Sequence, residues 1–523
     1  MEQAAAAIAS ALVQVERHEI DSDRLEWPLS QTNGVPGLPE GIAVMPANRS
    51  DASALTTRCG SGKTFTVRRD AGPILREKLV IVTTCNRLFT TATVSDWVRL
   101  YGDEDVYCYL DGLGQGQEVK AQKQRLRKMC ERAQGVIFIS IESILALRDI
   151  LDPKKVGLLL LEETCELASK MLGQTCPTVP PFRLLRDIAR EAERILYTDA
   201  DFEADGTTDG RCLRLQKYLC PSMPLRIFSL SRNVEHTKRS ASLYFDHASA
   251  NAGSDADAWW AQLRAFLKKW QRTGDSTGNR VACALPTKDM VKRVCELAKQ
   301  LGLPWCDYTS ETNDHLKKAE LSSPAEYWVD IGLVAFTQSL SVGADPVGIE
   351  FAAVFVYVQP YGCSVRCQFQ GALRFGRDVN YPLKCKTVFL CVKGRPLQGD
   401  ALTQLHERMN GTTYHARALA SLKEAHTRGA IAERSIGPAV SRVSSYRSAT
   451  RFGQKCKSLE VYGGSESTVV PPNDEELGIA AWALAEQIEQ REDIYSLVQR
   501  AMVRHGWIES GTIMDVQAAS AFN

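Results

Sequence analysis

From about residue 50 the chain alternates short apolar runs with helix-length stretches, and this alternation constrains the fold more than any other feature. The runs Lys78–Thr83, Gly135–Ser140, Val156–Leu161, Ile195–Tyr197 and Leu225–Leu230 are four to eight residues long or slightly shorter and bounded by turn-forming residues. Near-continuous apolar runs of that length are what a strand buried on both faces needs, so the pattern predicts a parallel sheet covered by helices. Residues 246–256 are small and polar and read as a linker or surface loop. A second alternation follows, with expected strands at Val281–Leu285, Ile331–Phe336, Ala352–Val358 and Thr387–Val392. After 400 the pattern turns helical, over Leu402–Met409, His415–His426 and Glu475–His505.

The 523 residues leave room for three to four domains at about 150 residues each. Hydrophobic residues make up 44% and charged residues 24%, which excludes a disordered or collagen-like chain. Lys and Arg total 63 against 62 Asp and Glu, so any nucleic-acid surface must be local. One candidate is 415–457, where nine Lys/Arg stand against two Glu and Tyr446 and Phe452 are interleaved; its plainer reading is a solvated basic loop. No apolar run of about 18 residues is present, so no membrane span is expected. The alanine-rich start lacks a basic leader and reads as an exposed helix followed by a Pro/Gly-rich connector. The sixteen cysteines form no C-x-x-C pair, which favours buried, reduced thiols in a cytosolic or nuclear protein.

The strongest motif is Thr57-Arg58-Cys59-Gly60-Ser61-Gly62-Lys63-Thr64. It carries the G-K-[ST] half of a phosphate loop, with Thr57 where the first glycine would stand. Gly60, Ser61 and Gly62 let backbone N–H groups curl around phosphate oxygens, Lys63 suits the β/γ-phosphates, and the Thr64 hydroxyl suits Mg²⁺. Such a loop needs a strand that ends in acids, and Leu158–Leu161 followed by Glu162-Glu163 supplies one. Glu162 is expected to hold Mg²⁺ and Glu163 to activate the attacking water. Two further segments belong to the second alternation. Thr337–Asp345 follows an apolar strand, and its Gly343 and Asp345 are expected to help bind nucleotide. Gln370, Arg374 and Arg377 are spaced to face a triphosphate held by the first unit, as arginine fingers do. Taken singly, Arg374 and Arg377 also read as a basic helix face. Trp259, Trp260 and Trp328 read as packing groups.

The ordered set resembles a superfamily 2 helicase core, and most resembles the herpesvirus-type replication origin-binding protein family. The resemblance rests on the phosphate loop, the acid pair, Tyr197-Thr198-Asp199-Ala200-Asp201, Trp328, the Thr337–Gly343 segment and Gln370/Arg374/Arg377, and spans roughly residues 50–395. It implies an α/β fold of two RecA-like P-loop NTPase domains in tandem; the mainly helical C-terminal region is read from its own pattern and does not resemble the family's origin-binding domain. The expected boundaries are 1–45 (helix and connector), 46–248, 249–398 and 399–523. It implies ATP and Mg²⁺ as cofactors and single-stranded or duplex DNA as partner, with RNA as the alternative strand and replication proteins as further partners. Arg87, Ser140 and Ser143 match segments that contact the nucleic-acid backbone. Asp199 is expected to couple hydrolysis to domain closure through Gln370 or Arg374. The implied location is nuclear, or a cytoplasmic or viral replication compartment. Thr57, Glu162 in place of Asp, and Asp345 depart from the family pattern. They motivate a rival reading, a catalytically weak ATP-responsive DNA-binding or scaffold protein. A small-molecule P-loop kinase is a third reading, which the second α/β unit and the two arginines argue against.

Overall fold

The computed structural model describes residues 15–21, 52–57, 63–85, 94, 97–109, 117–172, 179–199, 211–231, 239–246, 255–273, 279–312, 320–321, 324–337, 349–375, 387–394, 414–427, 472–505 and 507–509. Two parallel sheets organise them. The first holds β1 (Val15–Asp21), β2 (Ala52–Thr57), β3 (Leu79–Thr84), β4 (Val106–Tyr109), β5 (Gly135–Ser140), β6 (Val156–Glu162), β7 (Ile195–Asp199) and β8 (Leu225–Ser231). Its order is β1-β8-β2-β7-β6-β3-β5-β4. The second holds β9 (Arg239–Asp246), β10 (Val281–Ala284), β11 (Trp305–Tyr308), β12 (Leu333–Phe336), β13 (Ala353–Val358), β14 (Thr387–Lys393) and β15 (Trp507–Glu509), in the order β11-β12-β10-β13-β14-β9-β15. Every neighbouring pair in both sheets is parallel. These are two tandem parallel α/β lobes with a mainly helical C-terminal region, as the alternation of apolar runs predicts.

The central strands are buried along their whole length in β3, β5 and β6. Each fully buried Leu of the Leu158–Leu161 run contributes about 1.5–3 kcal/mol of transfer free energy, which fixes β6 in the middle of the sheet. Gly157 lets that strand pass close under the Lys63–Glu77 helix, since a Cβ there would meet Lys78 Cβ at 2.5 Å. In the second lobe Trp259 is fully buried edge-on to Phe355, and Trp328 is buried and stacked on Phe375. Both tryptophans are core, as expected.

Three boundaries differ from expectation. Val15–Asp21, expected within a helix and connector, is an edge strand of the first sheet paired with β8. Arg239–Asp246, placed in the first domain by a boundary at 248, pairs with β14 of the second sheet. The chain therefore changes lobe between β8 and β9, ahead of the expected 246–256 linker. The helical stretch Glu475–His505 is two helices, Asp474–Glu492 and Ile494–His505, broken at Asp493.

These last helices tie the lobes together. Leu477, Ala480, Ala481, Leu484 and Ala485 of the Asp474–Glu492 helix belong to the first lobe's core. Its Glu476 is fully buried and accepts from Arg183 Nε and Nη2 (2.8 and 2.9 Å), Tyr218 Oη (2.9 Å) and the Asn473 amide (2.9 Å). At the far end, Gln490 donates to Gln359 O (2.9 Å) and Cys363 O (3.0 Å) and accepts from Val365 N (3.3 Å), all in the second lobe. Nineteen residues of helix, about 28 Å, thus span from one lobe to the other. Ile494, Val498, Ala501 and Met502 of the last helix then enter the second lobe's core, and β15 extends its sheet.

Candidate active site

Ligands of open α/β sheets bind beyond the carboxyl ends of the strands. In the first sheet β2, β7 and β6 are neighbours, with Thr56 opposite Asp199 and Glu162 opposite Thr198. That register brings the end of β2, the acid pair and Asp199 to one edge. Lys63 and Thr64 open the Lys63–Glu77 helix just beyond β2. Gly60, Ser61 and Gly62 lie outside the described residues.

Glu162 ends β6 and is 3% exposed. Glu163 takes a left-handed conformation (φ 52°, ψ 58°), which an L-residue adopts at a cost of about 1–3 kcal/mol. That kink turns the chain abruptly into the Thr164–Ser169 helix, so Glu163 and Glu166 stand over the strand ends. Thr164 braces the turn, its hydroxyl 3.1 Å from Leu161 O and 3.3 Å from Thr198 O.

The second lobe meets these acids through one face of the Val365–Leu373 helix. Arg366 places Nη2 2.8 Å from Asp199 Oδ1 and 3.9 Å from Glu163 Oε2, and Nη1 3.5 Å from Glu166 Oε2. Gln370, one turn on, donates to Glu163 Oε2 at 3.4 Å, and Cys367 Sγ lies 3.6 Å from Glu166 Oε2. Lys170 sits 3.8 Å from Glu166; burial is the largest influence and works against its charge, but Glu166 together with Cys85, Glu142 and Cys367 outweighs it and holds the pKa above the ordinary lysine value. Three carboxylates therefore face two cations in a largely dry junction, where charge interactions are several times stronger than in water.

Asp199 is fully buried, and its second oxygen accepts from Cys165 N at 2.6 Å. Arg366, which sequence reasoning missed, is a cross-lobe partner of Asp199, while Gln370 bonds Glu163. The physical reason is reach. Arg366 lies one turn before Gln370 on the same face, and its guanidinium spans to the buried acid, whereas the shorter Gln370 stops at Glu163. Arg374 is half-buried at the C-terminal cap of this helix. Arg377, Gly343 and Asp345 lie outside the described residues.

The expected nucleic-acid contacts fare differently. Arg87 lies outside the described residues. Ser140 and Ser143 are 1% and 4% exposed, and Ser140 Oγ donates to Ser143 Oγ at 3.2 Å. Their hydroxyls turn inward at the end of β5 and present no surface to a phosphate, contrary to expectation. The basic segment begins with the Tyr414–Thr427 helix, which packs on the Asp474–Glu492 helix; there Arg417 pairs with Glu492 (2.7 Å) and Lys423 with Asp474 (2.9 Å). Those charges are answered by an acidic neighbour, and Tyr446 and Phe452 lie outside the described residues. Among the described residues the twelve cysteines form no disulfide, and no helix is long and apolar enough to cross a membrane.

No protein-family model matches the sequence, and no curated protein matches it. Solved structures of similar fold include Mss116p bound to single-stranded RNA and AMP-PNP, at 13% identity and TM-score 0.47, covering 69% of each chain. Another is S. cerevisiae Dbp5 bound to RNA and ADP BeF3, at 14% identity and TM-score 0.43, covering 68% of this chain and 83% of that one. A third is a DEAD box protein from the hyperthermophile Methanococcus jannaschii, at 15% identity and TM-score 0.36, covering 69% and 86%.

Proposed function

We propose that the chain is an ATP-dependent nucleic-acid helicase or translocase of superfamily 2, resembling the herpesvirus-type origin-binding proteins and acting on DNA. The observation that carries this reading is the junction of Arg366 and Gln370 with Glu163, Glu166 and Asp199, at the carboxyl edge of the sheet whose β2 leads into Lys63. A site shared between lobes makes hydrolysis depend on their closure, and closure moves one lobe against the other along a bound strand.

In this reading Gly60, Ser61, Gly62 and Lys63 hold the phosphates, Thr64 and Glu162 hold Mg²⁺, and Glu163 orients the attacking water. Arg374 and Arg377 stabilise the transferred phosphoryl group, and Gly343 and Asp345 complete the nucleotide's surroundings. Arg366 is the relay that lets the first lobe register the position of the second. Glu162 in place of Asp favours a second reading, an ATP-responsive clamp with weak turnover.

ATPase activity of the wild type and of Lys63→Ala, with and without single-stranded DNA or RNA, tests the proposal. Hydrolysis that Lys63→Ala abolishes and a strand stimulates is expected; stimulation by DNA alone supports the DNA assignment. Activity indifferent to both strands would sink the motor reading.

A further inference from the structure

Directly beneath the junction lies a group of donors of which the proposed ATPase uses only Asp199. Cys165, Asp199 and Cys212 offer ligand atoms that all lie within 4.8 Å of one another, and the three side chains are 7%, 0% and 1% exposed. The two sulfurs are 3.0 Å apart. They come from different elements, Cys165 from the first turn of the Thr164–Ser169 helix and Cys212 from the start of the Arg211–Leu219 helix. We propose that Cys165, Cys212 and Asp199 form a structural zinc site that pins the acid turn to the Arg211–Leu219 helix and fixes the carboxylate Arg366 reads.

The chemistry of the donors selects the metal. Two thiolates and one carboxylate suit a borderline-soft ion of tetrahedral habit, whereas Mg²⁺ and Ca²⁺ take oxygen ligands only. At Zn–S distances of about 2.3 Å, tetrahedral sulfurs stand about 3.8 Å apart, so the pair need open by less than about 1 Å. Water or a small exogenous ligand fills the fourth position.

Charge is the second argument. A buried free cysteine ordinarily sits as a small, neutral hydrophobe, so each sulfur brings one proton to be displaced. Zinc binding replaces those two protons: two thiols and Zn²⁺ give a zinc dithiolate and two H⁺. The buried charge is unchanged, so the large penalty for burying an uncompensated ion does not arise.

The carboxylate is the third argument. Asp199 is already held as metal-bound carboxylates are, with Cys165 N on one oxygen at 2.6 Å and Arg366 on the other at 2.8 Å. Such outer contacts orient a ligand and commonly change metal affinity by about 10–100-fold when lost.

The test needs neither ATP nor nucleic acid, so it stands or falls apart from the motor reading. The full chain is produced in zinc-supplemented medium, and its metal content is measured after exhaustive dialysis. One equivalent of zinc is expected in the wild type and in Cys220→Ser, which removes a nearby buried thiol outside the cluster. Cys165→Ser and Cys212→Ser should lose it. Cobalt-grown wild type should show a thiolate-to-cobalt charge-transfer band, a readout that holds even if a serine variant fails to fold. A wild type free of zinc and without that band would overturn the site. So would a Cys212→Ser protein that keeps its zinc, or a disulfide between the two cysteines in freshly purified protein.

Discussion

Removing the Arg366 guanidinium tests the junction where its energetics are most exposed. Arg366 and Asp199 have side chains 9% and 0% exposed and lie 2.8 Å apart. Deleting one partner of a buried ion pair costs about 3–5 kcal/mol, because the other is left charged and dry. The longer contacts to Glu166 and Glu163, at 3.5 and 3.9 Å, are nearer the surface and together contribute about 1 kcal/mol. In Arg366→Ala the stranded Asp199 regains water only if the Val365–Leu373 helix withdraws, so the cost falls on closure and leaves the fold of each lobe intact. At 1.4 kcal/mol per factor of ten, even about 3 kcal/mol shifts the closed-to-open ratio more than 100-fold. The prediction is therefore a fall in kcat of about 10²-fold or more, with an unchanged circular dichroism spectrum and a larger radius of gyration by X-ray scattering. Arg366→Lys keeps the charge but loses the planar fork that reaches several carboxylates, and should recover only part of the loss. An Arg366→Ala protein with wild-type kcat and wild-type scattering would refute the assignment of inter-lobe coupling to this residue.

Two further predictions concern the frame that holds the site. Burial raises the Glu476 carboxyl, but the bonds from Arg183, the Asn473 amide and Tyr218 outweigh it and leave the pKa below the ordinary carboxylate value. Its stabilisation is accordingly present above the unfolded-state pKa of about 4.3 and is lost as pH falls through the lower, folded value. Arg183 keeps 22% exposure and relaxes in part, so Glu476→Gln should cost about 2–3 kcal/mol near neutrality, or about 4–12 °C in melting temperature. The gap between variant and wild type should close below about pH 4 in thermal scans, and a gap independent of pH would count against this ion pair. Gly157→Val places a side chain where even a Cβ meets Lys78 Cβ at 2.5 Å and Ile74 Cγ2 at 3.0 Å, so it should destabilise by about 1–3 kcal/mol. Chemical denaturation measures it, and an unchanged midpoint would show that the Lys63–Glu77 helix is free to lift off β6.

What the sequence discloses follows from how local each signal is. β5 falls on Gly135–Ser140 as predicted, and β6 and β14 overrun the predicted ends by one residue, because a strand buried on both faces writes its burial into consecutive side chains. β4 and β11 are four residues long and sit at sheet edges, and too little of that signal remains in the sequence. β1, β9 and β15 depend on partners far away in the chain, so nothing around them announces their lobe. The site divides the same way. Glu162 and Glu163 are legible because acids ending an apolar strand must emerge at a ligand-binding edge. Arg366 carries no motif, yet its place one turn before Gln370 puts both on one face of a helix, a signal that helical periodicity alone contains. Gln490 and Glu476 leave no such trace, since their partners are fixed only when the last helices dock. The local code thus specifies two lobes and their ligand edges, while the angle between the lobes is set by docked side chains at both ends of one helix. It follows that substitutions at Gln490 should alter closure before they alter either lobe, which makes the C-terminal helices part of the site's geometry.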